Sequence, residues 1–243
     1  MDRLRYPIVL FDAGETLLAP RESFGAVYAR VLATLGVELA AKDLERGLRA
    51  HWAETNAAIE PGTDRYAKER GGESAYWLQF VSGTLARTPG VPNPSALANR
   101  ALAPLREAFR DPDAWRVYDD VIPVLTELKE HGARLAIVSN WDSTLPGLLG
   151  ALGLAAWFDT IVVSHLEGME KPRPELFLRA VSRLGGTPEQ ALHVGDVPEL
   201  DEAGARAAGM ACVIVDRRRR LGVSRGVLSD LTSVPAMARG GAV

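Results

Sequence analysis

Four short apolar runs punctuate the chain: Ile8-Val9-Leu10-Phe11, Leu135-Ala136-Ile137-Val138, Leu192-His193-Val194, and Ala211 through Val215. Each is flanked by polar residues or glycine and shows little alternation, which predicts parallel strands covered on both faces. Ile161-Val162-Val163 is a weaker fifth run. Between the runs the apolar spacing turns helical. Pro123, Val124, Leu125 and Leu128 precede the strand at Leu135, and Leu145, Leu148, Leu149 and Leu152 follow it. Leu176, Phe177, Ala180, Val181 and Leu184 continue the series, then Ala203 to Ala208. Strand and helix alternating at this pace predict right-handed crossovers and an α/β fold with a doubly wound parallel sheet.

From about Arg21 to Trp115 that alternation stops. Phe24-Val27-Tyr28-Val31-Leu32-Leu35, Leu44-Leu48-Trp52, Trp77-Phe80-Val81-Leu85 and Leu102-Leu105-Phe109 are all helical patterns. Glycine and proline clusters separate them, with no strand among them. The predicted organisation is therefore a core made of residues 1–20 and 116–243, with residues 21–115 as a helical insertion. An insertion after the first strand is expected as a cap over the carboxyl ends of the sheet, where open α/β sheets bind ligands. Residues after about Gly222 read as a weakly patterned tail.

Composition narrows the function classes. The chain has 243 residues, 47% hydrophobic and 24% charged, and a formal net charge of -3. This balance argues against a nucleic-acid binder acting through bulk charge. The basic run Arg217 to Arg220 follows an apolar stretch and reads as a solvated turn. The lone Cys212 lies in an apolar run, which excludes an intrachain disulfide and predicts a small core residue. No apolar stretch reaches the ~20 residues needed to span a bilayer, so a cytoplasmic protein with no membrane partner is expected. The oligomeric state stays open.

Four segments carry candidate chemistry. Asp12 ends a strand in Phe11-Asp12-Ala13-Gly14-Glu15-Thr16. It faces either a turn-capping role or nucleophilic duty through an acyl-phosphate. Ser139-Asn140 ends another strand, where a hydroxyl and N–H groups suit a phosphate oxygen or a helix N-cap. Lys171, in Glu170-Lys171-Pro172-Arg173-Pro174, is either an ordinary surface lysine or a partner for a carboxylate and a phosphoryl group. Asp196 and Asp201, in Gly195-Asp196-Val197-Pro198-Glu199-Leu200-Asp201, supply hard oxygen ligands for Mg²⁺ or acids at a helix start.

In this order and on these strand ends, the four segments resemble the haloacid dehalogenase superfamily of hydrolases, from Ile8 to about Asp216. The resemblance implies a Rossmann-like core and makes Asp12 the nucleophile. Ser139, Asn140 and Lys171 become the phosphate-binding and catalytic set, and Asp12, Asp196 and Asp201 the Mg²⁺ ligands. It also implies a small phosphorylated substrate hydrolysed through an aspartyl-phosphate.

One position departs from the pattern. Phosphatases of the superfamily carry a second Asp two residues after the nucleophile, to protonate the leaving group. Here that position is Gly14. Glu15 and Asp142 are the candidate substitutes for acid–base duty. Their plainer roles are a solvent-facing carboxylate and a helix cap. The missing Asp keeps two alternatives open: a 2-haloacid dehalogenase, which the intact Gly195-Asp196 argues against, and a phosphate- or partner-binding module without turnover. In the insertion, Arg65, Lys68 and Arg70 precede Gly71-Gly72, and Tyr76 and Trp77 follow; they form either a basic, aromatic lip or a solvated helix face with core aromatics. His51, His131, His165 and His193 lack metal-ligand spacing, and His193 reads as a satisfied core residue.

Overall fold

The computed structural model describes residues 4–67, 70–221 and 227–241. Lys68 therefore lies outside the described residues. The chain divides into two compact units, Met1–Ala19 with Val117–Val243, and Pro20–Arg116.

The first unit is the α/β unit. Its strands are β1 (Ile8–Phe11), later β4 (Arg134–Ser139), β5 (Thr160–Val163), β6 (Ala191–Gly195), β7 (Ala211–Val215) and β8 (Val227–Leu228). They form one sheet in the order β5-β4-β1-β6-β7-β8. Every pairing in it is parallel. The order reverses at β1, with β4 on one side and β6 on the other, so the switch point lies at the carboxyl ends of these three strands. Ile8 and Leu10 point into a cluster with Leu176, Phe177, Ala180 and Val181. The alternate residues Val9 and Phe11 are fully buried as well. Burial on both faces is why this strand reads as an unbroken apolar run.

The connecting helices are α5 (Val121–Glu130), α6 (Leu145–Ala151), α7 (Ser164–Glu167), α8 (Pro174–Arg183) and α9 (Ala203–Ala207), with α10 (Val234–Ala238) near the end. A π-helical turn over Pro198–Glu202 leads directly into α9. The expected weakly patterned tail is in fact built in. Strand β8 adds to the sheet edge beside β7, and Leu231 and Val234 are fully buried. Elements of two and five residues are too short to set up a readable period.

The second unit contains α1 (Phe24–Thr34), α2 (Ala41–Ala58), α3 (Gly72–Ala86) and α4 (Pro94–Arg110). Tyr28, Leu32, Leu44, Val81, Leu85, Ala101 and Leu105 form its core. Each fully buried leucine contributes about 1.5–3 kcal/mol of transfer free energy. Tyr66, Tyr76 and Phe80 form a second cluster with Trp77 packed against it. Of the two readings of Tyr76 and Trp77, the core aromatics describe them. The chain passes between units through β2 (Leu18–Pro20) and β3 (Trp115–Val117), which pair as a two-stranded ribbon. Among the described residues, no helix is long and apolar enough to cross a membrane.

Candidate active site

Asp12 directly follows β1, and its N–H donates to the Val194 carbonyl of β6 at 2.9 Å. Ser139 is the last residue of β4, and Asp196 follows β6. The sheet register alone therefore brings three of the predicted residues to one edge. Lys171 reaches them from the loop before α8. Its Nζ donates to Asp12 Oδ1 and to Asp201 Oδ1, both at 2.6 Å. The Lys171 side chain is only 3% exposed, so this is a buried ammonium bridging two carboxylates. Ser139 is buried at the end of the strand next to β1.

Asn140, expected in the phosphate-binding set, turns its side chain to Lys171. Its amide accepts from the Lys171 N–H at 2.7 Å and donates to the Lys171 carbonyl at 3.2 Å. It clamps the lysine's main chain, which fixes where the long side chain starts.

Both oxygens of Asp201 are heavily hydrogen-bonded. Oδ1 accepts from Lys171 and from His193 Nε2 at 2.8 Å. Oδ2 accepts the N–H groups of Asp196 at 3.2 Å and Val197 at 3.0 Å. Its role is to shape the turn that presents Asp196. Gly195 is glycine for the same reason, since a Cβ there would fall inside the Asp201 carboxylate. His193 also departs from the satisfied core residue expected of it. Because the carboxylate only accepts, Nε2 carries the proton, and the buried Nδ1 has no partner.

The charges are unbalanced. Burial alone would strip the Lys171 charge, but Asp12 and Asp201 outweigh it and hold the ammonium well above the ordinary lysine range. Burial would likewise raise Asp201, yet Lys171 and His193 keep it well below the usual carboxylate range. Asp12 is raised by burial and by Asp201, against the pull of Lys171. Asp196 is pushed up to about 8 by burial and by the charges of Asp12 and Asp201. One ammonium among three carboxylates leaves a site short of positive charge. A hard divalent cation fits Asp12 and Asp196, which lack the crowd of donors seen on Asp201. Among the described residues, no three His, Cys, Asp or Glu side chains converge into a ready-made cage. Asp201, expected to position the metal directly or through water, lies one hydrogen bond behind Asp196. Mg²⁺ is commonly bound by one or two carboxylates, with water and substrate completing its shell.

Both candidate acids already hold partners, and Glu15 lines the same cleft as Asp196. The Glu15 carboxylate is paired with Arg218 and accepts from the Tyr118 hydroxyl at 3.2 Å. Asp142 accepts from the Thr144 N–H at 2.9 Å and from the Thr144 hydroxyl, in the turn that leads to α6. Arg217 corrects another expectation. Its side chain is 7% exposed, pairs with Asp120 at 2.9 Å and donates to the Thr16 carbonyl at 2.7 Å. It also lies 3.9 Å above the Tyr118 ring. It braces the loop after Asp12, although the arginine run it opens reads as a solvated turn. Cys212 is half-buried against the core, and burial raises the pKa of its thiol.

Known proteins resemble this chain in sequence and in fold. The family model for haloacid dehalogenase-like hydrolases matches residues 6–209. A human relative named haloacid dehalogenase-like hydrolase domain-containing protein 3 is 34% identical over 88% of this chain and 83% of its own length. A glyceraldehyde 3-phosphate phosphatase of Methanopyrus kandleri is 31% identical over 86% of this chain and 83% of its own. The crystal structure of an HAD phosphatase from Thermococcus onnurineus superposes with a TM-score of 0.66 and 25% identity, covering 97% of this chain and 99% of that one.

Proposed function

This chain belongs to the haloacid dehalogenase-like hydrolases, and from that premise we propose that it is a Mg²⁺-dependent phosphatase of small phosphomonoesters acting through Asp12. The observation that carries this reading is the buried Asp12–Lys171–Asp201 bridge at the switch point of the sheet. A carboxylate nucleophile needs its charge kept in place and the incoming phosphoryl group neutralised, and one fixed ammonium serves both. Phosphatase-named relatives support the substrate class.

Asp12 attacks phosphorus in line while Lys171 and the Ser139 hydroxyl hold the phosphoryl oxygens. Asn140 keeps Lys171 in register. Asp201 and His193 hold the turn that presents Asp196. Asp12 and Asp196 would hold Mg²⁺, which when bound offsets the negative charge gathering on the phosphoryl oxygens. Water then hydrolyses the aspartyl-phosphate and returns Asp12 to its carboxylate. With Gly14 in place of the usual acid, turnover of poor leaving groups would be slow.

The test is phosphate release from 4-nitrophenyl phosphate with and without Mg²⁺, repeated with Asp12→Asn. Loss of at least about 10³-fold is expected for the variant, as for other catalytic nucleophiles. Activity that is metal-independent or survives Asp12→Asn overturns the proposal. Halide release from a 2-haloacid would assign the chain to the other chemistry.

A further inference from the structure

Gly14 is the position where the family pattern fails, and its surroundings say why glycine stands there. The backbone does not demand it. Gly14 does not take up a left-handed φ, whereas its neighbour Glu15 does, at 55°. What confines the position is a single side chain. A Cβ built on Gly14 has one heavy atom within 4 Å, Trp141 Cζ3 at 3.3 Å. That is tighter than nine in ten real Cβ contacts, so a side chain here requires the indole to shift by a few tenths of an ångström.

Trp141 is also anchored. Its N–H donates to the Ser164 hydroxyl at 3.1 Å, and the same hydroxyl donates back to its carbonyl at 3.1 Å. The His165 N–H bonds that carbonyl too, at 3.3 Å. Ser164 is fully buried at the start of α7. The Trp141 backbone is thus fixed by the element that follows β5, and its ring lies against the loop that carries the nucleophile.

We propose that Trp141 holds the place where a leaving-group acid would stand, and that this chain is thereby specific for donors whose leaving group departs unprotonated: aryl, enol or acyl phosphates. The inference rests on the phosphatase reading and deepens it. In the first step an Asp12 oxygen bonds to phosphorus as the bond from phosphorus to the leaving oxygen breaks. The electron pair goes to that oxygen, which leaves as an aryloxide, enolate or carboxylate and takes any proton later from solvent. In the second step water adds to phosphorus and the acyl-phosphate bond breaks. This releases inorganic phosphate and the Asp12 carboxylate, with the water proton passing to solvent or phosphate. An alkyl phosphate fits this scheme badly, because its alkoxide needs the proton that general acid catalysis supplies, an effect of about 10²–10⁴-fold.

The experiment measures kcat/KM with Mg²⁺ on 4-nitrophenyl phosphate, acetyl phosphate and glycerol 1-phosphate. The proteins are the wild type, Gly14→Asp, Trp141→Ala and the double variant. The wild type is expected to discriminate against glycerol 1-phosphate by at least about 10²-fold. Gly14→Asp alone should gain nothing on that ester and melt at a lower temperature. The double variant should gain at least about tenfold on it over Trp141→Ala. A single Gly14→Asp variant that gains as much as the double, or a folded double variant that gains nothing, overturns the inference. Gly14→Ala, melted in the wild-type and Trp141→Ala backgrounds, covers the case of poor folding: equal losses of Tm in both would also overturn it. A wild type that turns over glycerol 1-phosphate as fast as 4-nitrophenyl phosphate sinks this inference alone. No phosphate from any of the three donors sinks the phosphatase reading beneath it.

Discussion

The two sides of the candidate site are built on opposite plans. On the phosphate side, Lys171 is fixed through its main chain by Asn140 and through its ammonium by Asp12 and Asp201. His193 and two backbone N–H groups then hold Asp201. On the leaving-group side, Gly14 has no side chain, Trp141 lies over it, Glu15 is turned to Arg218, and Asp142 to Thr144. Charge is preorganised on one side, and proton donors are diverted on the other. On the proposed function, such a site would lower the barrier by electrostatic stabilisation and let the leaving group depart unprotonated.

Removing Lys171 should break the better-built side most severely. Lys171→Met is expected to lower kcat on 4-nitrophenyl phosphate by about 10²–10³-fold, the scale of losing one fixed donor to developing charge. Breaking a buried ion pair from one end costs about 3–5 kcal/mol when a charge is left uncompensated. Asp12 and Asp201 would relieve part of this by taking up a proton, so the variant's melting temperature should recover as pH falls. A Lys171→Met enzyme within tenfold of wild type would show that the bridge is only structural.

The sequence makes the strand ends legible and most of the bonding between them illegible. Asp12, Ser139 and Asp196 each close an apolar run, and a buried parallel strand is what such a run becomes. Their convergence follows from strand order. The roles of Asn140, His193, Arg217 and Trp141 do not follow from local pattern. Asn140 meets Lys171 across 31 residues, and Arg217 meets Thr16 across 201. His193 sits in an apolar strand and looks like packing until Asp201 folds back onto it. Arg217 opens a run of four arginines, and charge runs are ordinarily solvated. Gly14 is visible as an absence in the sequence, but the indole beside it is a tertiary contact.

The charge deficit on the phosphate side gives a second, smaller effect. Asp196 has its folded-state pKa raised to about 8, against about 3.9 in an unfolded chain. Between those values the metal-free folded protein binds a proton that the unfolded chain has lost, so Asp196 makes stability fall as pH rises through this window. Mg²⁺ binds the deprotonated carboxylate and so opposes that loss. The metal-free protein should therefore melt lower at pH 8 than at pH 5.5 on this account, and Mg²⁺ should raise Tm more at pH 8. An equal Mg²⁺ shift at both pH values would place the cation away from Asp196.

The smallest expected effect is the one that separates the two sides most sharply. Were Glu15 or Asp142 the working acid, its amide variant would lose the about 10²–10⁴-fold that general acid catalysis supplies, with the loss concentrated on alkyl esters. The geometry predicts otherwise. Glu15 is an ion-pair partner in a left-handed turn, and Asp142 holds the turn leading to α6. Glu15→Gln loses the charge that holds Arg218 and should cost at most about 1 kcal/mol of stability, as for a partly exposed ion pair. Asp142→Asn keeps an accepting oxygen and should cost less still, since asparagine makes the same turn as aspartate. Each is expected to keep kcat/KM within about threefold of wild type on both 4-nitrophenyl phosphate and glycerol 1-phosphate, far short of an acid's contribution. A selective collapse on the alkyl ester in either variant would identify the acid and return proton donation to the side from which the structure has removed it.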